Sequence, residues 1–161
     1  MINKEFSERT RIISIEDWYN LSNNDVLLNV KIQLNGNSMY PLIRKMRDYV
    51  TISPINRKIK RGDIVLFRRA DGKYVVHRVK KINGSSVQTM GDNCSLPDHE
   101  ITAERVIGYV TCVHRDSKTL NVDTLIWRKF GLLWLRLLPL RKLVSSVKNF
   151  LKNQPGDDSH E

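Results

Sequence analysis

The sequence predicts a mainly β protein: an antiparallel β domain preceded by a short helix and followed by amphipathic helices. Three observations predict this fold. Residues 28–34 alternate between apolar and polar side chains, five further segments rich in Val, Ile and aromatic residues lie between turn residues, and the spacing becomes helical after residue 124. A chain of 161 residues has room for one domain with a core and an appendage.

Residues 1–26 are predicted to form an N-terminal helical segment. Ser14 can accept from the free N–H groups of a first helical turn, and Asp17 and Trp18 follow at the spacing of a capped helix. We expect no cleavable export signal, because charged residues interrupt every apolar stretch. These residues are Lys4, Glu5, Glu8, Arg9, Arg11, Glu16 and Asp17.

Residues 27–118 are the predicted β domain. Its first strand, at 28–34, leads directly into the segment Gly36-Asn37-Ser38-Met39-Tyr40-Pro41. The dipeptides Asp71-Gly72 and Asn83-Gly84 are typical of tight hairpin turns. The further strands are predicted at 49–52, 63–69, 73–82, 86–90 and 105–114.

Residues 119–152 are predicted to form two amphipathic basic helices that meet near Pro139, followed by a disordered tail at 153–161. In the first helix, the spacing predicts that one face carries Trp127, Phe130, Trp134 and Leu137 and that the opposite face carries Arg128, Lys129 and Arg136. The segment has too many charges and too few residues for a membrane span of about 20 apolar residues.

Two interpretations of these helices stay open. The apolar face could lie in an anionic membrane surface through residues 125–151, or it could pack on the β domain or on a partner protein. The net charge of +10 is compatible with anionic partners but does not choose among them. Cys94 and Cys112 form no pattern typical of a zinc site, and we expect neither a metal nor a cofactor.

Ser38 is the first candidate for chemistry. A serine is a weak nucleophile unless a base lies within hydrogen-bond reach and a tight backbone exposes its hydroxyl group. Ser38 lies at a strand end, after the flexible Gly36 and before Pro41, which suits this requirement. Taken alone, the segment is equally typical of an ordinary strand-to-turn junction.

His77 is the candidate base. Alternation places it on the same strand face as Val75 and Val79, where apolar neighbours would favour the neutral imidazole that a general base requires. The loop that follows contains two carboxylates, Asp92 and Asp98, either of which could orient the imidazole. Each of these features alone has a structural explanation, as a core histidine or as a turn.

In this order, the three segments resemble the type I signal peptidase superfamily, in particular its archaeal and endoplasmic-reticulum branch, which has the S24/S26-type peptidase fold. The matching segments are Asn37-Ser38-Met39-Tyr40-Pro41, His77-Arg78-Val79, Gly91-Asp92-Asn93 with Asp98, and Gly62-Asp63-Ile64-Val65. The resemblance spans residues 36–110.

The resemblance implies a serine endopeptidase with Ser38 as nucleophile and His77 as base, in the place that lysine occupies in ordinary bacterial enzymes. It implies that Asp98 orients His77 and that Asp92 helps structurally or electrostatically, although residues 93–97 depart from the family pattern and leave the choice of acid open. Backbone N–H groups of Gly36, Asn37, Ser38 and Met39 would stabilise the oxyanion. The substrate would bind as an extended strand with small residues at the cleavage site.

The chain departs from the family in a second respect: a charged stretch precedes Ser38, where signal peptidases carry a transmembrane anchor. We therefore expect a peripheral membrane or cytoplasmic location, with a membrane-protein partner as one source of an anchor. The SOS-repressor autoproteases share the fold but use a serine–lysine dyad behind a DNA-binding module, so we expect no nucleic-acid partner. The alternative function is a non-catalytic basic module on the same fold that binds membrane or nucleic acid.

Overall fold

The structure is a computed structural model of the protein, and it describes residues 15, 17, 18, 29–137 and 140. Three residues of the predicted N-terminal helix are described, namely Ile15, Asp17 and Trp18, and all three are helical. Trp18 is fully buried in the core. The rest of segment 1–26, the predicted second C-terminal helix apart from Leu140, and the tail at 153–161 lie outside the described residues.

Among the described residues, the β domain forms a single eight-stranded sheet in which every pairing is antiparallel. Its strand order is β1-β2-β7-β3-β4-β5-β6, and β8 pairs with the distal half of β7. The strands are β1 (Val30–Gln33), β2 (Tyr49–Pro54), β3 (Ile64–Arg68), β4 (Tyr74–Asn83), β5 (Ser86–Met90), β6 (Ile101–Thr102), β7 (Val106–Arg115) and β8 (Lys118–Asn121).

This architecture confirms the predicted mainly β, antiparallel fold. The two predicted hairpins are present, and Gly72 and Gly84 adopt the positive φ angles that tight turns require, 83° and 56°. Strands β6 and β8 were not predicted, since they are short and carry little apolar alternation. Strand β8 carries the sheet beyond the predicted boundary at residue 118.

Both faces of the central strands are covered. Along β3, Ile64 and Leu66 point into one hydrophobic cluster that also contains Trp18, whereas Val65 and Phe67 point into a second. Because side chains alternate across a strand, β4 likewise divides its residues between the two faces, with Val76 on the first and Val79 on the second. The candidate base His77 therefore shares a face with Phe67.

In the described part of the chain the sheet is followed by the helix α1 (Leu125–Arg136), and Thr124 caps it by accepting from the Trp127 backbone N–H. Its buried positions are Gly131 and Leu135. The structure corrects the predicted helix faces. Arg128 lies on the inner side, where it forms ion pairs with Asp63 and Asp123.

The predicted tryptophan face is also divided. Trp127 packs against the first hydrophobic cluster and Trp134 donates to the Asp92 carbonyl, whereas Phe130 is exposed. The spacing was misleading because Leu125 and Leu132 share the sector of α1 that carries its basic side chains, so a single apolar face could not be assigned. Among the described residues, no helix has the length and apolar character needed to cross a membrane.

Candidate active site

Ser38 lies in a turn that leaves the end of β1. The turn is closed by hydrogen bonds from Tyr40 N to Asn37 O, 3.1 Å, and from Ile43 N to Met39 O, 2.9 Å. The side chains of Met39 and Ile43 are buried and hold the turn against the core, while Ser38 stays half-buried. The sequence thus forms a rigid turn that leaves the serine accessible.

The Ser38 turn is fastened to the loop that follows β5. Asn93 N donates to Ser38 O at 2.7 Å, and Asn93 Nδ2 donates to Asn37 O at 3.3 Å. Gly91 fills the space between this turn and the histidine. A methyl group at position 91 would lie 2.7 Å from Ser38 O and 3.0 Å from His77 Nε2, so the site tolerates only glycine there.

His77 projects from β4, where it is directly opposite Val65 of β3 and only 8% exposed. Its ring meets the Phe67 ring edge-on, with the centroids 6.2 Å apart. Its Nδ1 lies 2.6 Å from Asp98 Oδ2. In sequence, 20 residues separate His77 from Asp98. The loop after β5 folds back onto the sheet and brings the two side chains together.

Asp98 is held in place by two further hydrogen bonds. Thr89 Oγ1 donates to Asp98 Oδ2 at 2.7 Å, and Asp98 N donates to Thr89 O at 2.8 Å. Burial raises the pKa of Asp98, but the hydrogen bonds from His77 and Thr89 outweigh burial, so the pKa lies below its ordinary value. Asp98 is thus kept as the carboxylate that an imidazole N–H requires as acceptor.

This pairing fixes the role of each ring nitrogen. With Nδ1–H donating to Asp98, Nε2 of the neutral imidazole is the nitrogen that can accept a proton, and it faces Gly91 on the side of the Ser38 turn. In the described part of the chain no hydrogen bond joins the Ser38 hydroxyl to His77. Such bonds often form only when substrate is bound, so this geometry is compatible with a serine–histidine pair.

Asp92 has a different environment. Its two carboxylate oxygens each accept from Arg78, at 2.7 Å, and both side chains are almost completely buried. Its carbonyl oxygen accepts from Trp134 of α1 at 3.0 Å. Asp92 therefore faces the underside of the helix, while Asp98 faces the histidine.

The backbone N–H groups of Ser38 and Met39 are the geometric candidates for oxyanion donors. Within the described ranges, neither group donates to another residue, unlike the N–H groups of Tyr40 and Ile43 in the same turn. Gly36 and Asn37 precede them at the mouth of the turn, and both are exposed. An N–H group with no internal acceptor is available to a substrate oxygen.

Cys94 also lies at the site, with its sulfur against Gly91. Burial raises the pKa of the Cys94 thiol, and the charge of Asp98 raises it further. The nucleophilic thiolate of Cys94 is therefore disfavoured. Of the two side chains, Ser38 is better suited than Cys94 to act as the nucleophile. Among the described residues, His, Cys, Asp and Glu form no group of three that could hold a metal ion.

An apolar cavity of about 380 Å³ separates α1 from the Ser38 turn. Pro41 and Leu42 line it from the turn, and Trp127, Phe130 and Trp134 line it from the helix. The helix therefore reaches the site through the Asp92 loop, where Leu135 packs against Met90 and Cys94, rather than through direct contact with Ser38.

Three residues that build the site had no role assigned to them from the sequence, although two of them, Arg78 and Asn93, lie in the matching segments. Thr89 supports Asp98, Arg78 neutralises Asp92, and Asn93 fixes the Ser38 carbonyl. The alternation of β5 could have placed Thr89 on one face, and a buried arginine beside a loop aspartate could have suggested an ion pair. The Asn93 contact depends on how two distant loops meet, which no local pattern reveals.

Comparison with known proteins supplies the remaining observation. No curated protein sequence matches this chain. A family model, described as Peptidase S24-like, matches residues 3–111, a span that includes Ser38, His77, Asp92 and Asp98 and ends within β7. The matched span is more than half of the chain and agrees with the antiparallel β domain described above. The chain therefore belongs to the Peptidase S24-like family.

Proposed function

We propose that the protein is a serine endopeptidase in which Ser38 is the nucleophile, His77 the general base and Asp98 the group that orients His77. The observation that carries this proposal is the 2.6 Å contact between His77 Nδ1 and Asp98, with Nε2 directed towards the Ser38 turn across Gly91. Membership of a peptidase-like family supports it.

In the proposed reaction, Ser38 Oγ forms a bond to a peptide carbonyl carbon while its proton passes to His77 Nε2. Asp98 stabilises the imidazolium, and the N–H groups of Ser38 and Met39 stabilise the oxyanion. Collapse of the tetrahedral intermediate breaks the carbon–nitrogen bond, and the histidine gives its proton to the departing amine. Water then hydrolyses the acyl-enzyme with His77 again acting as base.

The substrate is proposed to bind as an extended strand along β1. Within the described residues, β1 pairs with β2 and its other edge has no strand partner. Strand β1 leads into the Ser38 turn, and a peptide paired with its edge would carry a scissile bond towards Ser38. The most specific form of the proposal, processing of signal-peptide-like segments with small residues at the cleavage site, rests on the sequence resemblance.

The test is a comparison of the purified full chain with Ser38→Ala and His77→Ala on a proteome-derived peptide library, with new N-termini mapped by mass spectrometry. We expect each change to reduce cleavage by about 10³-fold or more, since each removes a member of one catalytic unit. Ser95→Ala is the matched control, since Ser95 is an exposed serine in the loop after β5.

Undiminished cleavage by a folded Ser38→Ala protein would disprove the assignment. A wild-type chain that binds peptides but leaves them intact would favour the alternative, a non-catalytic binding module on the same fold.

A further inference from the structure

The outward side of the C-terminal helix carries a continuous row of exposed apolar side chains. This row, the outer stripe, consists of Ile126, Phe130 and Leu133 of α1 and of Leu137 at its C-cap, which are 78%, 52%, 53% and 41% exposed. Steps of four, three and four residues keep these four on one side of the helix. An apolar surface of this extent on a basic protein indicates an interaction site.

The helix cannot bury the outer stripe by rotating onto its own domain. Its inner side is already fixed by the Arg128 ion pairs with Asp63 and Asp123, by the Trp134 bond to Asp92 and by the packing of Leu135. The β domain thus holds α1 in an orientation that leaves the outer stripe exposed, with Phe130 at its edge, where it also lines the cavity between the helix and the Ser38 turn.

The charges beside the outer stripe have one sign. Residues Leu125–Arg136 include no acidic residue, and Lys129 and Arg136 are exposed on this helix. Neither of these two cations forms an ion pair within the described part of the chain.

This charge distribution selects among partners. A second copy of the chain, joined stripe to stripe, would bring the same cations together and gain repulsion. An anionic lipid surface offers both an apolar layer for the stripe and negative headgroups for the cations. We propose that the outer stripe docks on an anionic membrane surface, with α1 lying in the interface and not crossing it.

The docking would place the candidate active site near the bilayer. Trp134 and Leu135 contact the Asp92 loop from the helix, and the same loop carries Gly91 and Asn93 against the Ser38 turn. Docking through the outer stripe does not depend on peptidase activity.

Sedimentation of the full chain with lipid vesicles tests the proposal. Phosphatidylcholine vesicles with and without phosphatidylglycerol separate the apolar from the electrostatic contribution. We expect strong binding to the anionic vesicles only, weaker binding at higher salt because the screening length shortens, and about a five-fold loss for each of Lys129→Gln and Arg136→Gln.

The variant Phe130→Gln/Leu133→Gln should lose binding by about ten-fold or more, since two apolar anchors are removed. Met46→Gln is the matched control, since Met46 is 56% exposed but lies outside the helix, and it should bind as the wild type does. Equal binding of the wild type and the stripe variant, or no binding of the wild type to anionic vesicles, would overturn the proposal. A wild-type dimer that the stripe variant dissociates would assign the surface to a second copy instead.

Discussion

At the scale of single residues, the site separates two carboxylates that the sequence places close together. Asp98 contacts the candidate base, whereas Asp92 is paired with Arg78 in a buried position. A carboxylate that orients a histidine affects the rate of reaction, and one that neutralises a buried arginine affects stability. The two aspartates are therefore expected to respond differently to the same substitution.

Asp98→Asn is expected to lower kcat/KM by about 10³-fold to 10⁴-fold, because the amide cannot hold His77 in the required tautomer. Asp92→Asn should instead lower the free energy of unfolding by about 3 kcal/mol or more, since it leaves Arg78 buried without its carboxylate. Peptidase kinetics and urea denaturation of both variants measure the two effects. A folded Asp98→Asn protein with wild-type kcat/KM would remove Asp98 from the proposed mechanism.

The sequence allowed only part of this site to be predicted. Alternation correctly placed His77 beside Val79, on the face that also contains Phe67, but it cannot show which acid reaches the ring. The resemblance to signal peptidases pointed to Asp98, and the geometry of the loop after β5 brings that residue to His77. The burial of Arg78 with Asp92 depends on α1, which is distant from both in sequence.

At the scale of secondary-structure elements, the contact between α1 and β4 depends on a glycine. The Arg78 guanidinium lies directly against Gly131, in the position that a side chain at 131 would occupy. The same guanidinium donates to Asp92 and to Gly62 O, so the helix, the strand and the loop after β5 meet at one cation. A change at Gly131 should therefore affect all three elements.

Gly131→Ala is expected to lower the free energy of unfolding by about 1 to 3 kcal/mol, even though alanine is the better helix former. The added methyl group would overlap the Arg78 guanidinium and displace it from Asp92. Thermal and urea denaturation measure the change, with Lys129→Ala as an exposed control on the same helix. A Gly131→Ala protein as stable as the wild type would show that the guanidinium can move without cost.

The helix also shows where pattern reasoning fails at this scale. A period of 3.6 residues predicts which residues share a face, but it does not say which face meets the protein when both are apolar. Here the small Gly131 and the Arg128 ion pairs select the inner face, and both features depend on tertiary partners in the β domain. The strands were more predictable because alternation and turn glycines are local properties.

At the scale of the whole molecule, Asp48 joins the Ser38 turn to the far end of β7. It is fully buried and accepts hydrogen bonds from Arg44 and from Arg115, and Arg115 also donates to the carbonyls of Pro41 and Leu42. Burial raises the pKa of Asp48, but the hydrogen bonds from the two arginines outweigh burial and lower the pKa to about 2. The ionised form is therefore linked to the folded state.

A carboxylate with a lowered pKa stabilises the fold above its unfolded pKa, and this contribution is lost as the pH falls from about 4 towards about 2. We expect Asp48→Asn to reduce the free energy of unfolding by about 2 kcal/mol at pH 7, and the difference from wild type to shrink across that acidic range. Urea denaturation at a series of pH values measures it, with the partly exposed Asp71→Asn as control. A difference that stays constant from pH 7 to pH 3 would mean that Asp48 acts through packing and not through its charge.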